Sequence, residues 1–174
     1  AALKAGCHHI DTTGEQGYMR QVRDNFGDLY RQAGLLVSPS IAYMYTFAEI
    51  AAELALETPG IDALETATLC RGPRGGASGV TVGSTASIFE LYRQEACYLW
   101  EKKLVPHPFG ASVNVVDPNF VQPVFSLPWG GTSLPVFYAR DPRVRCCRSL
   151  VGLYDNPAMR TVACKVSTPC VATL

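Results

Sequence analysis

The chain has 174 residues, 48% of them hydrophobic and 17% charged, which supplies enough apolar material for a folded core and too little charge for a disordered segment. Fifteen basic and fifteen acidic residues cancel, so the overall positive field of a nucleic-acid or membrane-surface binder is missing, and neither partner is expected. No apolar run reaches the ~18 residues a membrane helix requires, and no charged-then-apolar leader opens the sequence.

In chain order, Ala1 to Gly6 reads as the last turns of a helix closed by glycine, as though sequence upstream had been removed. Cys7-His8-His9-Ile10 is a short strand-like run. In the next segment Met19, Val22, Phe26, Leu29 or Tyr30, and Ala33 recur at helical period on one face, and Gly34 supplies the stop. Leu35-Leu36-Val37 is a wholly apolar strand of the kind buried on both faces of a parallel sheet. Ser38-Pro39-Ser40 turns the chain into a second helix, near Tyr43 to Thr58, which ends at Pro59-Gly60. Strand, helix, strand, helix with short loops predicts parallel α/β units.

Ile61 to Cys70 reads as a strand, and Arg71 to Gly83 is glycine-rich. A long helix with the stripe Thr85, Ile88, Phe89, Tyr92, Ala96, Leu99 is expected to reach about Lys103, because Pro106 and Pro108 forbid continuation. Nine of the twelve prolines lie beyond residue 105, among β-prone pieces at Ser112-Val116, Pro123-Ser126 and Leu134-Tyr138, so strands and loops are expected there. Charge shifts as well: residues 1–105 hold nine basic and twelve acidic side chains, and residues 106–174 hold six and three. Arg140, Arg143, Arg145 and Arg148 supply most of the second excess, as a solvated or subunit-facing strand or as an anion site.

Several strings could carry chemistry. Asp11-Thr12-Thr13-Gly14-Glu15 lies between a buried-type strand and a helix start, where α/β proteins place ligand-contacting loops. A capping box, Thr12 with Glu15 or Thr13 with Gln16, would explain the hydroxyls and the Glu or Gln but leaves Asp11 without a reason. Cys7, His8 and His9 are competent zinc ligands, yet strand geometry splits them between two faces and no partner pair completes a tetrahedral site, so no metal is expected. His8 and His9 remain candidate acid–base groups, since imidazole titrates near neutrality. The glycine-rich segment matches no G-x-G-x-x-G, Walker or nucleophile-elbow pattern; it reads as a hinge or close packing, or as a ligand contact through Ser78, Gly79 or Ser84. Seven cysteines, an odd number without a leader, point to free thiols and a cytoplasmic protein.

Ala2 to Glu15, reading A-L-K-A-G-C-H-H-I-D-T-T-G-E, resembles the A-x-x-A-G-x-H-Y-x-D-x-T-G-E segment of saccharopine dehydrogenase-like oxidoreductases, a family that includes trans-acting enoyl reductases. His9 stands where the family usually has Tyr, and Cys7 where it has a small apolar residue. Ser78 to Ser87 is similar to the family's S-G-G-T-x-x-S turn into a long helix. The resemblance implies an α/β (α+β) fold in which residues 1–60 form the end of a Rossmann-type parallel sheet. Residues 61–174 would then be a mixed β-sheet domain, with helices packed on one face, that shapes a small-molecule substrate cleft and a homodimer.

It further implies NAD(P) as cofactor of the complete protein, bound tightly only with a nucleotide-binding region that this chain lacks. Asp11 and His9 become the catalytic candidates, Thr13, Gly14 and Glu15 the cofactor contacts near the nicotinamide, and Ser78, Gly79 and Ser84 the substrate contacts. The alternative expectation is a non-catalytic dimerisation or interaction domain on the same scaffold.

Overall fold

The computed structural model describes residues 1–71, 95–108, 111–116, 123–128 and 133–154. A single 3₁₀ turn, Leu3–Ala5, opens the chain and closes on Gly6, whose left-handed φ of 67° lets its N–H return to Leu3 O. Strand β1 (His9–Ile10), helix α1 (Gln16–Gln32) and strand β2 (Val37–Ser38) then form a β-α-β unit in which β1 and β2 pair in parallel, His9 opposite Val37. This agrees with the order expected from sequence. The two-stranded sheet is not enclosed on both faces, however, because Ile10 and Leu36 are exposed.

Helix α1 buries Met19, Val22 and Tyr30, so that Tyr30 and not Leu29 joins the apolar face, whereas Phe26 and Ala33, expected on that face, are exposed. Helix α2 (Tyr43–Leu56) follows the Ser38-Pro39-Ser40 turn and ends before Pro59-Gly60. It buries the small residues Ala48 and Ala52 together with Tyr45.

The rest of the described chain is a six-stranded, mostly antiparallel sheet of β3 (Ala63–Arg71), β4 (Cys97–Trp100), β5 (Lys103–Pro106), β6 (Val113–Val115), β7 (Val124–Leu127) and β8 (Cys146–Tyr154). Central β8 pairs in parallel with β3 along its whole length, and its other edge meets β4 near its start and β7 further on, both antiparallel. Gly152 permits this crowding: a methyl group there would come within 2.8 Å of Leu69 Cδ2 and 2.9 Å of Val124 Cγ1.

Two expectations fail here. The helix predicted to reach Lys103 is replaced over residues 97–106 by the β4–β5 hairpin, since Cys97 and Leu99 are buried while Trp100 is exposed, a period of two. Glu101 and Lys102 make the two-residue turn with φ of 47° and 65°, the left-handed values a tight hairpin of the primed type demands. The expected strand Leu134–Tyr138 is helix α3 (Ser133–Tyr138): Pro135 lies within its first turn, where a missing N–H costs no helical hydrogen bond. Residues 72–94, with most of the predicted long helix, lie outside the described residues.

Ala48 and Ala52 of α2, Leu64, Leu99, Leu134, Tyr138, Val144 and Cys147 form one core, so residues on both sides of the expected boundary at 60/61 share it. Buried Gln16 locks the two parts together: its amide donates to Cys97 O at 2.9 Å and accepts from Cys97 N–H at 2.7 Å. The fold is thus mixed α/β with a mostly antiparallel sheet and few helices. Among the described residues no helix is long and apolar enough to cross a membrane.

Candidate functional site

The β1–α1 loop gathers the acid–base groups. Asp11 follows β1 directly; its N–H donates to Ser38 O at 3.3 Å and its carbonyl accepts from Ile41 N–H at 2.8 Å, so its backbone prolongs the parallel ladder. With the main chain fixed, its carboxylate becomes a hub. Oδ1 accepts from Thr13 N–H at 3.0 Å, an Asx turn, and Oδ2 faces His9 Nε2 at 2.9 Å and the Tyr18 hydroxyl at 3.2 Å. Burial alone would raise the Asp11 pKa, but the hydrogen bonds from Thr13, His9, Tyr18 and the Ser40 backbone together outweigh it and hold the carboxyl below its ordinary 3.8. Tyr18 is pushed the other way, by burial and by the Asp11 charge, and stays a donor.

This polarity fixes the imidazole. An ionised carboxylate only accepts, so His9 Nε2 carries the proton that faces Asp11, and in the neutral ring Nδ1 is the acceptor. The His9 side chain is 35% exposed and Asp11 24%, open to a small solute.

The Thr-Gly-Glu part of the loop is arranged otherwise than a capping box. Glu15 is itself the N-cap of α1 and makes no side-chain cap bond; its carboxylate folds back to accept from the Thr13 hydroxyl and, at 2.9 Å, from Gly14 N–H. Thr13 O accepts from Ser40 Oγ at 2.6 Å. Ser40, buried and at a φ of 68°, holds a left-handed conformation that a non-glycine residue keeps only where its surroundings enforce it. Gly14 lies against the hydroxyl of buried Tyr45, whose pKa is pushed up to about 12 by burial and by Glu15.

His9, Asp11, Thr13, Gly14 and Glu15 are therefore one continuous cluster. Ser78, Gly79 and Ser84 lie outside the described residues. Tyr18, Ser40 and Tyr45 complete the cluster and were not anticipated from sequence: Tyr18 lies off the apolar face of α1, and Ser40 and Tyr45 reach the loop only through tertiary folding.

The other candidates resolve into structure. Cys7, His8 and His9 turn to different partners, with His8 Nδ1 accepting from Leu36 N–H at 2.8 Å, and among the described residues no group of three metal-competent side chains is gathered. All four arginines of the basic stretch are ion-paired, Arg140 with Asp24, Arg143 with Glu53 and Asp141, Arg145 with Asp62 and Glu101, and Arg148 with Glu65, so each has a carboxylate partner within the fold. Cys7, Cys97, Cys146 and Cys147 are free thiols. An open groove of about 350 Å³ between α1, β2 and α3 contains none of the cluster.

No curated protein matches the chain. A family model matches residues 46–172, from within α2 through the six-stranded sheet, and leaves the His9–Asp11 loop before the matched span. The match covers well over half of the sequence, and the chain belongs to that family, DUF5938, a family of unknown function.

Proposed function

We propose that the chain is the C-terminal part of a saccharopine dehydrogenase-like NAD(P)-dependent oxidoreductase, in which it shapes the cleft for a small-molecule substrate and a homodimer. The observation that carries this reading is the His9–Asp11–Tyr18 cluster, in which His9 within a parallel strand and Asp11 just beyond it belong to the segment that resembles that family, and Tyr18 joins them from α1. Ligands of open α/β sheets bind at the carboxyl ends of strands, and β1 delivers Asp11 to such an end.

NAD(P), when bound, supplies or takes the hydride; the protein's own task is then to move one proton. With Nε2 held by Asp11, His9 Nδ1 takes the proton of a substrate hydroxyl during oxidation and returns it during carbonyl reduction. Asp11 orients the ring and stabilises its cationic form, and Tyr18 keeps Asp11 ionised by donating to it. Thr13 Oγ1 and Gly14 N–H already donate to Glu15, so in this chain these three residues maintain the loop's shape rather than offering free donors to a nicotinamide. The sequence holds no G-x-G-x-x-G, and the dinucleotide's phosphates would be held by residues outside it.

The reading frame upstream of the Ala1 codon tests the proposal. It is expected to encode a strand followed by G-x-G-x-x-G and a helix; a frame without that pattern overturns the assignment.

A further inference from the structure

We infer that α2 carries the contact surface of a homodimer, two copies pairing antiparallel through Tyr43, Phe47, Ile50 and Leu54. While Tyr45, Ala48 and Ala52 face the core, these four residues lie on the opposite side of the same helix and are 65%, 68%, 51% and 60% exposed. Ala51 and Ala55 are exposed with them. A helix that is apolar on both sides normally has both sides covered.

Three features select a second copy as the cover. First, the stripe carries no charge. In a two-fold contact each patch meets itself, so a charged stripe would set like charges together. The two acids of α2 are held elsewhere, Glu53 by Arg143 and Tyr138, and Glu49 half-buried beside Glu53.

Second, the intervals along the stripe are four, three and four residues, the same in either direction. A two-fold axis at its midpoint therefore sets Phe47 opposite Ile50 of the other copy and Tyr43 opposite Leu54, while the exposed alanines let the helices approach.

Third, the area suffices. Tyr43 and Phe47, each about two-thirds exposed, present roughly 250 Å² between them, given the ~150–250 Å² a whole aromatic side chain can bury. With Ile50, Leu54 and the alanines the patch reaches about 500 Å², the size of the largest and often functional patch of a monomer, and doubled across the axis it reaches the order of 1,000 Å², the scale of a modest interface. The homodimer named in the proposed function gains its surface here but rests on α2 alone, and would stand if the oxidoreductase assignment fell.

Sedimentation of the 174-residue chain between micromolar and about 100 μM is the test. The wild type is expected to sediment as a dimer. Phe47→Glu and Ile50→Lys are each expected to give a monomer with unchanged circular dichroism, since both positions are exposed, and with a melting temperature that, unlike the wild type's, does not rise with concentration. An equimolar mixture of the two variants is expected to recover a heterodimer, because the F47E carboxylate faces the I50K ammonium while the remaining pair keeps Phe47 against Ile50. A wild type still monomeric at about 100 μM overturns the homodimer and means that a different body covers α2. A dimer that survives both substitutions, or a mixture that stays monomeric, overturns the surface or its register.

Discussion

At Asp11 one side chain has both a structural and a chemical task. Its Oδ1 closes the turn to Thr13, and its Oδ2 orients His9. Asp11→Asn keeps an acceptor for the Thr13 amide but removes the charge, so the fold should lose no more than about 1–2 kcal/mol. In the complete protein turnover should fall at least roughly tenfold, equivalent to ~1.4 kcal/mol of transition-state stabilisation. Melting and steady-state kinetics on one preparation separate these effects; full activity with a lowered melting temperature would make Asp11 structural only. Gly14 offers a purely steric test. Gly14→Ala would drive a methyl group into the Tyr45 hydroxyl and should cost about 1–3 kcal/mol, a good part of which Tyr45→Phe should restore in the double variant by removing that oxygen. Urea titration of the two single variants and the double variant reads this directly, and simple additivity would deny the contact.

At the scale of elements, the single side chain of Gln16 ties the start of α1 to the start of β4. Gln16→Leu removes both hydrogen bonds and leaves the Cys97 N–H and C=O buried without them, so a loss of about 2–4 kcal/mol is expected, seen as a lower urea midpoint at unchanged slope. An effect below about 1 kcal/mol would show that the two parts are held by their apolar contacts instead.

The β-α-β-α order was legible in the sequence because Gly34, Pro39 and Pro59-Gly60 punctuate it and because Met19 and Val22 keep helical spacing. Local pattern misled where tertiary contact decided. Leu99 fits a helical stripe as well as a strand, and only pairing with β5 and β8 separates the two. Pro135 reads as a helix breaker until the helix is seen to begin two residues earlier. At the candidate site, Asp11 stood out as an acid beside an apolar strand, while Tyr18 and Ser40 carry no sequence signal. One lies seven residues from Asp11 and the other is reached through the β2–α2 turn.

Across the molecule, carboxylates with lowered pKa values link stability to pH. Asp11, Asp24, Glu53, Asp62 and Asp141 are all shifted down, the last four chiefly by hydrogen bonds from Arg23, Arg143, Arg145 and Arg143 in turn. A group whose pKa is lower in the folded state adds stability that is complete above its unfolded value and disappears as pH falls through the folded one. His107, which burial and the Arg148 charge hold neutral down to about pH 4, adds stability that is lost as pH falls from about 6.5 towards 4. The melting temperature should therefore begin to fall below about pH 6.5 and drop further below about pH 4, and the lower part of the drop should shrink in high salt for the exposed arginine pairs. Glu49, raised by burial and by Glu53, titrates in the opposite sense and only partly offsets the loss. A melting temperature that is flat down to about pH 3 would contradict the pairing.

The claim that this chain is the cleft-forming part of a nucleotide-dependent oxidoreductase is tested most directly by titrating NADPH and NADH, followed by their fluorescence, into two proteins: residues 1–174 alone, and the same residues together with the upstream reading frame. The longer protein should bind one of the two nucleotides with micromolar affinity, and residues 1–174 should bind neither tightly, since the phosphate-binding turn is not in their sequence. Micromolar binding by residues 1–174 alone, or no binding by the longer protein, would contradict the account.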